Sequence, residues 1–286
     1  MVAVFDRTQI RRQRLRNVGN TGHHFLFDWT MKQISDRLSV VRRKFPLCVQ
    51  IGARGPSLPV GNFGIETQIV TDTVSGGTLI ADEDFFPFAD NSLDLVVSAL
   101  NLHTVNDLPG ALLQINRALK PDGLFIGALI GGETLHELRA CLSEAELELT
   151  GGISPRVAPF ADKPQMGSLL QRAGFALPVV DSDIVTVTYD SIFPLMYDLR
   201  RMGEGNAVTE RGKSFTPRSL FLRAGELYAA KFADPDGRIR ASFEIIFLIG
   251  WAPHSSQQKP LRPGSAQTRL AQFLGTEEIG TGEKPH

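Results

Sequence analysis

The chain has 286 residues, of which 42% are apolar and 21% charged, and its formal net charge is −1. That balance gives a buried core under a wet surface, which excludes a disordered or collagen-like chain and gives no overall reason to expect nucleic acid as a partner. The apolar runs at 124–130 and 245–250 fall far short of the ~20 residues a membrane span needs. Two cysteines, Cys48 and Cys141, cannot build a disulfide framework and read as small buried hydrophobes of a reducing compartment.

Charge is unevenly spread. The first 46 residues hold ten Lys/Arg against Asp6, Asp28 and Asp36, with five arginines between Arg7 and Arg16 and apolar anchors at Phe5 and Ile10. An Arg-rich, acid-poor start also fits a mitochondrial transit peptide, but Phe5-Asp6-Arg7 and the lack of a Ser-rich stretch favour a structured arm. No apolar signal-peptide core is visible.

From Phe25 to Phe45, Met31, Ile34, Leu38, Val41 and Phe45 fall on one helical face, closed by Pro46. Residues 1–45 are therefore read as a basic helical arm. The period then changes: 47–51, 68–71, 78–81, 93–98 and 124–129 are short apolar or β-branched runs, as in a parallel sheet covered on both faces. Helical faces follow at 108–119, stopped by Lys120-Pro121-Asp122-Gly123, at 135–149, ended by Gly151-Gly152, and at 166–173, ended by Gly174. Strands at 179–189 and 243–251 flank a helical insertion, 189–232, in which Thr216-Pro217 is read as an N-cap and first helical residue. Strands alternating with helices give a wound α/β fold over 46–251. The polar, Pro/Gly-rich tail at 252–286, ending Gly280 to His286, reads as extended or disordered.

In such folds ligands sit where strand C-terminal ends meet the next loops. The first loop is Gln50-Ile51-Gly52-Ala53-Arg54-Gly55-Pro56. Asp72 lies twenty residues after Gly52, a spacing that suits a ribose diol. Asp82 and Glu83 end the third strand, where they would accept from an adenine amino group. Ser98 ends the fourth strand and leads to Asn101 and His103. Singly each is weak, since a Gly-x-x-Gly loop is usually a turn. As an ordered set they point to a nucleoside-bearing cofactor, a reading that an arginine side chain filling the space between these loops would count against.

Ala81-Asp82-Glu83 with Phe86-Pro87-Phe88, Asp94-Leu95-Val96-Val97-Ser98 and Leu119-Lys120-Pro121-Asp122-Gly123-Leu124 resemble motifs of the class I S-adenosylmethionine-dependent methyltransferases. A narrower resemblance, to the methyltransferase-fold assembly factors of respiratory complex I, is carried by Phe5-Asp6-Arg7, by 102–109, by 131–139, by Ser154-Pro155-Arg156, by Met202-Gly203-Glu204 and by Ile249-Gly250-Trp251. The first resemblance implies a Rossmann-like, seven-stranded, mostly parallel sheet with an antiparallel last strand, and S-adenosylmethionine as cofactor. The second implies modification of a complex I subunit, the mitochondrial member being an arginine hydroxylase. It also implies a location in the bacterial cytoplasm, at the inner face of the membrane, or in the mitochondrial matrix. Two other readings stay open: a small-molecule or carrier-bound carboxyl O-methyltransferase, and a non-catalytic assembly chaperone.

The departures lie in the cofactor loop. Gln50 replaces the family's acid, and Gly52-Ala53-Arg54-Gly55 is one glycine short, with Arg54 in the middle slot. Two prolines and two glycines in 56–64, and only five residues in 73–77, argue that the first two crossover helices are reduced or missing, because proline costs ~3 kcal/mol in a helix interior and glycine ~1. Weak cofactor binding is expected. His103 is a candidate general base, or a structural histidine bonded to a loop. Asn101 orients a substrate or shapes the turn. Glu133 contacts a substrate arginine or favours a helix N-terminus. The basic arm is read as a lid over the cofactor mouth, a contact for an acidic partner or membrane surface, or a solvated helix. No metal-ligand signature emerges from the six scattered histidines.

Overall fold

The structure, a computed structural model, describes residues 3–19, 22–258, 265, 268 and 270–277. Two arm helices come first, α1 (Arg7–Asn17) and α2 (Phe25–Ser39). The strands β1 (Leu47–Ile51), β2 (Thr67–Asp72), β3 (Leu79–Ile80) and β4 (Leu93–Ala99) follow, then α3 (Leu108–Ala118) and β5 (Leu119–Ile130). The unit is completed by α4 (His136–Thr150), α5 (Lys163–Arg172), β6 (Ala176–Tyr189), α6 (Ile192–Met202), α7 (Arg218–Phe232) and β7 (Ile239–Trp251). The strand order is β3-β2-β1-β4-β5-β7-β6. The first five strands are parallel, and β7 enters antiparallel between β5 and β6.

Alternation along the buried strands sends side chains to two layers. Leu95, Val97 and Ala99 of β4 pack with α2, α4, α6 and α7, whereas Val96, with Phe125 and Leu129 of β5, packs with α3 and α5. Full burial of each such side chain stabilises by about 1.5–3 kcal/mol. Cys48 and Cys141 are free and buried, and burial pushes their thiols up to about 12 and about 11.

Only a short 3-10 turn, Asn62–Gly64, stands between β1 and β2, and no helix separates β2 from β3. The sheet is bare of crossover helices there, as the prolines and the short 73–77 link require. Three expectations fail. The helix from Phe25 stops at Ser39, where the β-branched Val40 and Val41 lower helix propensity, rather than running to Phe45; Phe45 reaches the core from non-helical chain. Lys120 to Gly123 lie within β5, with Asp122 at φ 63°, and do not form a separate turn. Thr216 does not cap α7: Pro217 holds that place, and the Thr216 hydroxyl instead accepts from Arg156 Nη1 at 3.1 Å.

The chain divides after Pro253 into two compact units. In the second, Leu270–Leu274 (α8) is helical rather than extended, and the stretch expected to be disordered from Gly280 to His286 lies outside the described residues.

Candidate functional site

The first loop is built around Gln50. Its Nε2 donates to the carbonyls of Gly52 (3.2 Å) and Pro56 (3.3 Å), while its Oε1 accepts from Leu58 N (3.2 Å). A carboxylate could not make the two donations, so the glutamine fits this chain's loop where the family's acid would not. Gly52 and Gly55 turn the loop with φ of 95° and 97°. A Cβ on Gly52 would stand 3.0 Å from Asn101 Oδ1, and one on Gly55 would stand 2.6 Å from Phe27 Cβ. Asp72, buried at the end of β2, accepts from Ala53 N (2.9 Å) and Val74 N (3.2 Å). It therefore ties the two loops to each other.

The basic arm ends on the acids. Asp6 caps α1 by accepting from Gln9 N at 3.0 Å. Arg7, Arg11 and Arg14 then fall on one face at i, i+4 and i+7. Arg7 pairs with Asp82 (2.7 Å) and with Glu83, and Arg11 pairs with Asp82. Arg14, 2% exposed, donates from Nη1 to Glu83 Oε1 (2.7 Å) and Thr73 Oγ1 (2.9 Å), and lies 3.7 Å from Asp72. Burial by itself would raise the Glu83 carboxyl, but Arg14 and then Arg7 outweigh it and hold it at about 2. Outside the acids, Phe5 and Ile10 pack with Ala207, and Phe5 exchanges backbone hydrogen bonds with the Asn106 amide at 2.9 and 3.0 Å.

A second guanidinium crosses the cleft. Arg54 donates to Glu204 Oε1 (2.6 Å) and Leu100 O (2.7 Å), with its guanidinium carbon 4.8 Å from the centre of the Phe27 ring. Glu204 follows the left-handed Gly203 cap of α6 and also meets His103 Nε2 at 3.1 Å. Burial works to raise its carboxyl; His103 and then Arg54 outweigh it, leaving the group far below the usual carboxylate range. In the neutral ring the carboxylate accepts a hydrogen bond from Nε2–H, which leaves His103 Nδ1 as the acceptor, and this buried atom has no hydrogen-bond partner. Asn101 donates to Glu83, joining the two clusters.

The acceptors that a ribose or adenine would need on Asp72 and Glu83 are thus taken up by backbone N–H groups and Arg14, and Gly52 and Gly55 are packed against Asn101 and Phe27. With Arg14 and Arg7 seated on the acids, the cleft residues do not fit S-adenosylmethionine, and this arginine-filled arrangement counts against the nucleoside reading for as long as the arm stays in place. Ser98 is fully buried, and its hydroxyl has no partner. Glu133 is exposed, and its backbone N–H donates to the buried Glu244 (3.0 Å). A cavity of about 330 Å³ lies beside the cleft, with apolar walls that include Leu138, Leu199, Phe221 and Phe243 and with Glu204 among its polar lining. It is not lined by Glu133, Asp72, Glu83 or Ser98. Among the described residues no group of three or more His, Cys, Asp or Glu side chains is placed to hold a metal, and no helix is long and apolar enough to cross a membrane.

The structure brings Asn101, Glu83 and Asp72 together with Arg14, and His103 together with Arg54; it leaves Glu133 apart. Glu204 is the residue that sequence reasoning missed. Its signal was its place directly after Met202-Gly203, a helix end with a glycine cap.

Comparison with known proteins finds a match to a methyltransferase-domain family over residues 71–127. The chain is 39% identical over 285 residues to the mitochondrial arginine-hydroxylase NDUFAF5 of Danio rerio, covering 94% of this chain and 88% of that one. It is 36% identical over 177 residues to a malonyl-[acyl-carrier protein] O-methyltransferase of Xylella fastidiosa, covering 62% and 58%. Among solved structures, the YcgJ protein of Bacillus subtilis superposes with a TM-score of 0.51 at 13% identity, covering 79% of this chain and all of that one. That likeness speaks to the fold alone.

Proposed function

The chain belongs to the NDUFAF5 arginine-hydroxylase family, and from that premise we propose that it modifies an arginine side chain on a subunit of respiratory complex I, with S-adenosylmethionine as its cofactor. What carries this reading is the similarity to an arginine hydroxylase along 94% of the chain. It is supported by a methyltransferase-domain match whose span, 71–127, holds Asp72, Asp82, Glu83, Ser98, Asn101 and His103.

In this reading His103 handles the proton. In the neutral ring, with Nε2–H on Glu204, the lone pair of the buried Nδ1 is the basic site, which a substrate group reaches once the side chains around it move aside. Asn101, bonded to Glu83, keeps the loop after β4 in place beside it. Glu133, exposed at the end of β5, is an outer contact for the substrate guanidinium, which favours a carboxylate in bidentate geometry. The compartment follows the host: the matrix of a mitochondrion, or the bacterial cytoplasm at the inner face of the membrane.

Mass spectrometry of complex I subunits from a strain lacking the gene tests this. Loss of a mark on one arginine is the expected result, and a single-oxygen mark would mean that dioxygen and a two-electron reductant take part beside S-adenosylmethionine, which supplies no oxygen atom. Loss of a methylene mark would reassign the chemistry to methyl transfer, and unaltered subunits with normal assembly would overturn the reading. The similarity to a malonyl-[acyl-carrier protein] O-methyltransferase favours a second reading, a carboxyl O-methyltransferase, whose product ester would be lost under mild alkali.

A further inference from the structure

We infer that α1 is an internal competitor for the cofactor cleft, so that S-adenosylmethionine enters only when Arg14 and Arg7 leave Asp72 and Glu83. The inference rests on the cofactor reading above and adds how that site is controlled.

A lid and a competitor differ in where the side chains end. A lid lies across a bound ligand, with its own groups outside the ligand's partners. Here the guanidinium groups sit on the partners themselves: Arg14 is 2.7 Å from Glu83 Oε1 and 3.7 Å from Asp72 Oδ1, and Arg7 also pairs with Glu83. A ribose hydroxyl is a neutral donor, whereas the guanidinium adds Coulomb attraction to its hydrogen bond with the ionised carboxylate. The cofactor therefore cannot take these oxygens while the arm holds them.

The arm is also built to let go. Outside the acids its apolar hold is a small cluster of Phe5, Ile10 and Ala207, separate from both sheet layers. The rest is polar, including the Phe5–Val208 bridge, the Phe5 bonds to Asn106, the Asp6 bonds to Ala207 O and Arg211, and Asn17 on Arg200 O. Its seat in the cleft is imperfect, because Arg7 Nε, Arg14 Nε and Arg14 Nη2 are buried without hydrogen-bond partners. Each such orphan costs free energy that the released arm recovers in water. Gln50, by contrast, has partners for both its nitrogen and its oxygen.

Titration calorimetry of the full chain with S-adenosylmethionine tests the inference. Ile10→Ala loosens the arm without touching a cleft acid or its partners, and Arg14→Gln removes the competing charge. Both variants are expected to bind at least about tenfold more tightly than the wild type, whose apparent affinity is reduced by the fraction of molecules in which the arm is open. Hydrogen exchange supplies the second readout: adding S-adenosylmethionine to the wild type should speed exchange in Arg7–Asn17. Unchanged or weaker binding in the variants, or slower exchange in α1, would overturn the inference and leave the cofactor reading intact. Absence of binding in the wild type and in both variants would overturn the two together.

Discussion

Arg14 donates from Nη1 to Glu83 Oε1 at 2.7 Å, with both side chains only 2% exposed. Glu83 also accepts from Arg7 and from Asn101, so one carboxylate fastens the arm helix to the ends of β3 and β4. Glu83→Gln keeps the shape and removes the charge, which leaves Arg14 buried with Asp72 as its nearest anion, 3.7 Å away. Breaking a buried pair on one side costs about 3–5 kcal/mol. Urea denaturation should show a loss of that order, and a loss below about 1 kcal/mol would show that the pair is not buried in solution.

The same carboxylate sets a pH window. Its folded pKa is depressed to about 2 against an ordinary value of 4.5. A depressed acid contributes stability that is complete above the unfolded pKa and is lost as pH falls through the folded one. The gap between wild type and Glu83→Gln should therefore be full at neutral pH, shrink below about 4.5 and close near 2. Asp72, Asp82 and Asp84 face the same arginines but are common to both proteins, so the difference isolates Glu83. A gap that stays constant across this range would rule out the assignment.

Restoring the family's acid should harm the first loop. Gln50→Glu replaces the two donations to Gly52 O and Pro56 O with a carboxylate facing both carbonyls. The expected cost is about 1–3 kcal/mol, the desolvation penalty of unsatisfied buried polar groups, read as a lower denaturation midpoint. Equal or greater stability would mean that the loop repacks around the acid.

The parts of the fold that could be read from the chain were those fixed by local chemistry. Short runs such as Leu95-Val96-Val97, with their β-branched residues and flanking turns, read as buried strands, and Pro56, Pro59, Gly61 and Gly64 forbid a crossover helix without reference to any partner. Caps were harder. Thr216 had the chemistry of an N-cap, but Arg156, sixty residues away, claims its hydroxyl. The cleft was legible as a set of acids but not as a filled one, because Arg14 and Glu83 are 69 residues apart and no local pattern says which charge a surface-like arginine will find. Glu204 was hidden for the same reason: its partners Arg54 and His103 lie 150 and 101 residues away.

That carboxylate sets the tautomer of His103. Glu204, ionised between Arg54 and His103, accepts the Nε2 proton and leaves Nδ1 bare. Glu204→Gln keeps a carbonyl acceptor but adds two N–H donors that can turn toward Nε2, so the preference for Nε2–H should weaken. Nitrogen-15 spectra of the imidazole, recorded at a pH where the ring is neutral, should show one protonated Nε2 in the wild type and a mixture of tautomers in the variant. Arg54 also loses its ionic partner, so a lower denaturation midpoint should accompany the change. An identical ring pattern in both proteins would show that the histidine is oriented by something other than Glu204, and Nδ1 would lose its claim to be the base.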